Sequence, residues 1–245
     1  MEIAIYFETK DSLIDAIISQ TNDLPGKVAL LHAGVDEGKV TERDITKNAL
    51  AFDQFVDNNE VGFFLYNYDA KVLANVNLVG TGGYPSIEFM QEDSSCTFLT
   101  GFVDQILDTF ARYGAFFIYA CLDEERDAKN RIYNDLDGYS VETWVGRDIS
   151  KYIPGLYWIT WISDKYASHL NIDIEEFAAS VNDAIERLGD GYLIRLGNNP
   201  GSWKKNLKKL SKLSKDRDYL FNIDKVNISS AKTLVDIEDI LFDWE

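Results

Sequence analysis

The chain of 245 residues predicts an α+β fold: a mainly antiparallel sheet with helices packed on it, in repeated strand–helix–strand units. Three observations carry that expectation. A strand-like run, an amphipathic run and a second strand-like run follow one another three times, separated by short breakers. Three further apolar runs, 61–68, 72–79 and 86–90, are joined by short turns and read as a meander. The composition, 46% hydrophobic, 13% aromatic and 27% charged, supplies a large core.

Taken in order, residues 2–7 (EIAIYF) read as a strand. Asp11-Ser12 can cap a helix bearing Leu13, Ile14, Ile17 and Ile18. Pro25-Gly26 turns the chain into a strand at 27–33 (KVALLHA), ended by Gly34. Thr41 opens a helix with Asp44 as the second half of a partial capping box, and Ile45, Ala49, Phe52, Phe55 and Val56 form its apolar side. In 72–79, Val72, Ala74, Val76 and Leu78 alternate with polar neighbours, the pattern of a half-exposed antiparallel strand. A helix carrying Phe98, Phe102, Ile106, Leu107 and Phe110 leads past Gly114 to a buried strand at 115–122 (AFFIYACL).

The third unit is a strand at 156–162, a helix at 174–188 and a strand at 192–196. Residues 204–217 form a basic amphipathic helix, with Trp203, Leu207, Leu210 and Leu213 inward, expected to pack on Trp158 or Trp161 and to neutralise local acid. Leu234, Ile237, Leu241 and Trp244 recur at helical spacing in an acidic terminal helix. The polar stretch 123–150 is a soft internal boundary within a single α+β domain spanning 1–245, whose halves share one sheet or pack closely.

The formal charge of −17 disfavours nucleic acid as a direct ligand, because phosphate binding needs clustered Lys and Arg. It suits either simple solubility or a basic protein partner steered by the field. No stretch approaches the ~20 apolar residues of a membrane-spanning helix, and residues 1–20 lack a secretory signal pattern. Cys96 and Cys121 are expected to be buried thiols rather than a disulfide framework. A cytoplasmic protein without a membrane partner fits these features.

Groups that carry catalysis are sparse. His32 and His169 stand apart from other ligand-type residues and read as structural. The chain has no zinc-spaced cysteine pair, no G-x-S-x-G elbow, and no phosphate-binding glycine loop at Gly80-Thr81-Gly82-Gly83. Asp135-Leu136-Asp137-Gly138 resembles part of a calcium loop but has Tyr133 and Trp144 where the loop needs carboxylates, so it reads as a turn. We therefore expect no catalytic residue, cofactor or metal. Asp123, Glu124, Glu125 and Asp127, with Glu92-Asp93 beside them and Asp135 and Asp137 beyond, are either a solvated surface or an acidic face that receives a basic partner. An enzyme using paired carboxylates is the alternative, and requires a concave site that gathers two of them. A non-catalytic scaffold subunit is a further alternative.

The aromatic run Tyr157-Trp158-Ile159-Thr160-Trp161 places Tyr157, Ile159 and Trp161 on one side of a strand and Trp158, Thr160 and Ile162 on the other. This suits a strand covered on both faces, or one with a face offered to a partner. Ile153-Pro154-Gly155-Leu156-Tyr157-Trp158 resembles the P-G-(V/L)-Y-W signature of the immunity protein fifty-two family of polymorphic-toxin and type VI secretion systems. Asp190-Gly191, an apolar strand and Asn198-Asn199-Pro200 are similar to its later segment, so the likeness covers about residues 150–203. The chain departs from the family after Tyr-Trp, where Ile159-Thr160-Trp161 stands instead of small residues. The resemblance implies a non-enzymatic cytoplasmic protein that neutralises a cognate effector, often a nuclease, and the acidity agrees with a toxin domain whose substrate-binding face is basic. It also implies that Pro154, Gly155, Tyr157, Trp158, Gly191 and Pro200 set the fold rather than touch the partner.

Overall fold

The computed structural model describes every residue except 24–28, 38, 68–71, 81–82, 92–95, 137–138, 182–184, 216 and 244–245. Side chains at 21–23, 91, 96–100, 136, 139, 141, 206–207, 209, 211 and 214 are likewise outside the description. Strands β1 (Glu2–Phe7), β2 (His32–Gly34), β3 (Gly62–Asn67), β4 (Val72–Asn77), β5 (Ser86–Gln91), β6 (Ala115–Cys121), β9 (Ile159–Ser163), β10 (Ile185–Leu188) and β11 (Gly191–Arg195) form one sheet. Its order is β10-β11-β9-β6-β1-β5-β4-β3-β2, and every neighbouring pair is antiparallel. This is the α+β architecture predicted, with strands from both sides of 123–150 in the same sheet.

The three central strands β1, β6 and β9 are buried along their whole length. That is why they read as continuous apolar runs, whereas β4 near the edge alternates. One face is covered by α1 (Lys10–Asp23), α2 (Ala49–Asp57) and α3 (Cys96–Arg112), whose Leu13, Ile17, Phe52, Val56, Ile106 and Phe110 join Ile3, Ile5, Phe89, Ile118 and Trp161 in the main core. Phe110 meets Phe7 and Phe89 edge-on, at 6.2 and 5.7 Å. The other face, over β6, β9 and β11, is covered by α5 (Asp164–His169), α6 (Ile174–Val181) and α7 (Trp203–Lys215). There Tyr166, Phe177 and Leu210 pack on Phe117, Ile162 and Ile194.

Residues 123–150 are no linker. They hold α4 (Asp123–Asn130) and a separate hairpin, β7 (Arg131–Leu136) and β8 (Tyr139–Trp144). Under it lies a third apolar cluster of Ile132, Val145, Tyr152 and Phe221, closed by Ile237 and Leu241 of α8 (Leu234–Phe242). Helix α8 has a full capping box of Thr233 and Asp236. The backbone amides of Lys232 and then Thr233 hold the Asp236 carboxyl below its ordinary value of 3.8. A depressed carboxyl stabilises above its unfolded pKa, so this cap is fully present above 3.8 and is lost as pH falls through the lower folded value. We expect amide exchange in α8 to accelerate at that acid step, and Asp236→Asn to remove the step.

Four local expectations are corrected. Helix α1 is capped by Thr9, whose Oγ1 accepts from Ser12 N, and not by Asp11-Ser12. The strand expected at 27–33 is present only at β2. Buried Gln20 bonds both the amide and the carbonyl of Leu30, taking over positions a ladder would use; residues 27–28 lie outside the described part. Asp44 is left-handed, with φ 51°, so no α-helix runs through it, and α2 starts instead behind Asn48, whose Oδ1 accepts from Ala51 N. The helix expected through 188 ends at Val181, and 185–188 is strand β10, turned onto β11 at Gly189-Asp190.

The aromatic run is corrected in part. Ile159 and Trp161 share the main core, with Ile162 on the other side, as strand alternation requires. Tyr157 and Trp158 are exchanged relative to that pattern: Tyr157 faces the second core and Trp158 the first. The strand begins only at Ile159, and the amide of Tyr157 folds back to donate to Thr160 Oγ1 at 3.0 Å. Helix α7 packs through Leu210 and Leu213 on the second core, across the sheet from Trp158 and Trp161. Its Lys204 and Lys215 reach Glu124 and Asp224, at 2.7 and 3.0 Å, so it does neutralise acid within the chain.

Candidate functional site

Of the carboxylates read as a partner-facing set, Asp123, Glu124 and Asp127 stay at least partly exposed on α4, and Glu125 does not. Asp123, Glu124 and Glu125 occupy the first turn of α4, where acids complement the exposed amides of a helix N-terminus. Asp123 is exposed, 3.9 Å from the Met1 nitrogen, and Glu124 is exposed and paired with Lys204. Asp127 is half-buried, 3.6 Å from Arg131 Nε. Asp135 is exposed on β7. Glu92, Asp93 and Asp137 lie outside the described residues.

Glu125 is the exception, because it is turned fully inward and cannot face a partner. It accepts from Lys129 Nζ at 2.6 Å and from the amide of Trp158 at 3.2 Å. Lys129 also donates to the carbonyl of Leu156 at 2.5 Å. Burial pushes the Glu125 carboxyl up and the Lys129 ammonium down, and each partner pulls the other back.

The motif residues lie in the interior. Pro154, Gly155, Tyr157, Trp158, Gly191 and Pro200 are all buried. The carbonyl of Pro154 accepts from Asn130 Nδ2 at 3.0 Å, and Asn130 Oδ1 accepts from Tyr157 Oη at 2.5 Å. Gly191 must be glycine: a Cβ there would stand 2.4 Å from the Ile162 carbonyl and 2.6 Å from Cζ2 of Trp161. Backbone and a packed indole cannot both give way, so Gly191→Ala is expected to cost about 1–3 kcal/mol in urea unfolding.

Two cavities stand out. The larger, about 350 Å³, is mainly apolar and lies among Lys129, Gly155, Leu156, Leu210, Leu220 and Phe221. The smaller, about 150 Å³, is polar, and no sequence motif announced it. Glu2, Tyr6 and Glu88 line it from adjacent strands β1 and β5, with Tyr119 from β6, and Arg126, Trp144, Arg147 and Tyr157 close it. The signal was the pairing of Ala4 with both Glu88 and Tyr119, which sets these side chains on one face but is a product of register. Glu2 is taken up by Arg126 and by the hydroxyl of Tyr119, which donates at 2.6 Å. Arg126 and Arg131 each lie against the Trp144 ring, at 4.4 and 3.9 Å. Burial raises the Glu88 carboxyl, and Arg147 opposes this.

The two histidines contact backbone groups. His32 Nδ1 accepts from the amide of Asp44 at 3.0 Å, and His169 Nε2 contacts the Ser150 carbonyl at 3.1 Å. Cys121 is a buried free thiol, and the side chain of Cys96 is outside the described residues. Among the described residues, no group of three His, Cys, Asp or Glu side chains is placed to hold a metal ion, and no helix is long and apolar enough to cross a membrane.

No protein-family model matches the chain, and no curated protein matches its sequence. Among solved structures it is similar to the T6SS protein PA0821 of Pseudomonas aeruginosa, with a TM-score of 0.51 and 12% identity, over 89% of this chain and 73% of the other. At that identity the likeness establishes a shared fold, in agreement with the α+β class.

Proposed function

We propose that this chain is an immunity-type protein, which binds and neutralises a cognate secreted bacterial toxin of basic charge, such as a nuclease domain, without turnover. The observation that carries the reading is the 152–203 block: its P-G-L-Y-W signature lies in a fold that, across most of the chain, resembles that of a protein named for the type VI secretion system (T6SS). The charge of −17 supports it, since a toxin that binds nucleic acid presents a cationic face. Affinity capture from the native cell followed by mass spectrometry tests the proposal, with one basic toxin domain expected in stoichiometric amount. Protection of that cell is expected to survive His32→Ala and His169→Ala. Loss of protection with either, at normal protein level, would sink the reading.

One observation favours an enzyme using two carboxylates: Glu2 and Glu88 line the same cavity. Against it, Glu2 is already engaged, and about 150 Å³ is well below the roughly 300 Å³ at which small-molecule sites begin. Hydrolytic turnover abolished by Glu88→Gln would establish this second reading.

A further inference from the structure

We propose that the open face of β3, β4 and β5, with the Glu88 cavity at its inner margin, is a docking surface for a protein partner that places one lysine or arginine side chain beside Glu88. The inference deepens the immunity reading and rests on it for the identity of the partner.

The face follows from register. Glu88 pairs with Ala4 on one side and Asn75 on the other, and Asn75 pairs with Phe64. These positions therefore share a face with Glu2, Tyr6, Leu73, Asn77 and Met90. Their alternates Phe63, Leu65, Val72, Ala74, Val76, Ile87 and Phe89 point the other way and are buried in the main core. Over β6, β9 and β11 the Glu88 side of the sheet is sealed by the second core. Over β3–β5 the described residues leave it partly open: Tyr66 and Ser86 are buried, but Phe64, Leu73, Asn75, Asn77 and Glu88 keep partial exposure, and Met90 is 38% exposed. The surface is a mixed apolar and amide floor with a carboxylate at one end, the composition of an interface rather than of a solvated edge.

The occupant follows from charge and volume. Among the described residues none donates a hydrogen bond to the Glu88 carboxylate, unlike that of Glu2 beside it. Tyr6, Tyr119, Tyr157 and Trp144 wall the space with aromatic surface of a kind that takes cations: Trp144 already carries Arg126 and Arg131, and Tyr157 carries Lys129. About 150 Å³ admits one side-chain head group and excludes a larger ligand. The field of a chain at −17 draws cations toward it. Two groups argue for an anion instead: Arg147 at the rim, and Arg126, whose buried Nε has no acceptor. Arg126 is committed to Glu2 and to Trp144, and the charge of Arg147 acts on Glu88, whose burial it opposes, so neither arginine is spare for an anion.

The test has two arms. In the first, amide NMR shifts are followed on titration with N-acetyl-arginine amide, its neutral isostere N-acetyl-citrulline amide, and acetate. Saturable shifts at Glu2, Glu88 and Arg147 are expected with the arginine compound, and their absence with citrulline and in Glu88→Gln. Equal shifts with citrulline, larger shifts with acetate, or an unchanged response in a folded Glu88→Gln protein would each overturn the cation site. In the second, binding of the captured toxin is measured for Glu88→Gln, with Asp135→Asn as a surface control. At least a tenfold loss is expected for the first and none for the second. Unchanged toxin affinity in Glu88→Gln would discard this surface while leaving the immunity function intact. Capture of no toxin, with arginine shifts still saturating at Glu88, would discard the immunity function and uphold the cation site.

Discussion

Glu125→Ala is expected to lower the unfolding free energy by about 3–5 kcal/mol, because it strands the Lys129 ammonium in a nearly closed interior. The Lys129 side chain is only 11% exposed, and the partners left to it are the Leu156 carbonyl and the Tyr157 ring, 5.1 Å from Nζ. The same change removes the acceptor of the Trp158 amide, and an unmet buried donor costs about 1–3 kcal/mol of that total. Against a typical domain stability of about 5–15 kcal/mol, the loss would leave a marginal fold. The double variant Glu125→Gln with Lys129→Met separates the terms. Glutamine still accepts from Trp158, and methionine needs no partner, so the double is expected to be more stable than Glu125→Ala. Urea unfolding measures all three, and a loss below about 1 kcal/mol in Glu125→Ala would show that the pair contributes little.

Trp158→Ala is expected to cost about 3–5 kcal/mol, the range for removing a large buried aromatic side chain. Trp158 is fully buried in the main core, and its Nε1 ties down the Gly197 carbonyl at 3.2 Å. The indole thus joins the P-G-L-Y-W segment to the loop that leads to Pro200. Glu125 holds the backbone amide of residue 158, which survives Trp158→Ala, so the two changes couple through a shift of that backbone when the indole is lost. A double-mutant cycle is expected to show coupling of at least about 0.5 kcal/mol; strict additivity would mean that removing the indole leaves the backbone amide of residue 158 in place against Glu125. Trp158→Phe is expected to recover most of the loss, since it restores the apolar volume but not the hydrogen bond.

These two predictions also show where sequence reading reaches its limit. Trp158 was legible as a turn-flanked aromatic, and its burial agrees with a structural role for the motif. Glu125 was not. In sequence it is one acid among Asp123, Glu124 and Asp127, and helical periodicity alone cannot tell which of four neighbours faces inward when nearly all are polar. Only the packing of α4 beside the Pro154–Trp158 segment places Lys129 and the Trp158 amide around that one carboxylate. The cavity at Glu88 was equally hidden. Its walls come from residues 2 to 157, and no local spacing joins them.

The sequence by itself determined the α+β class, the meander, the buried strand read at 115–122 and found at 115–121, and the helices α3, α7 and α8. Each is written in local periodicity, turn chemistry or capping, which act over a few residues. The tertiary structure decided which strands are neighbours, the hairpin of β10 and β11, the inward turn of Glu125, and the open face beside Glu88. Those depend on contacts between residues far apart in the chain, where one register step or one packed helix determines whether a carboxylate meets solvent, a lysine or a partner.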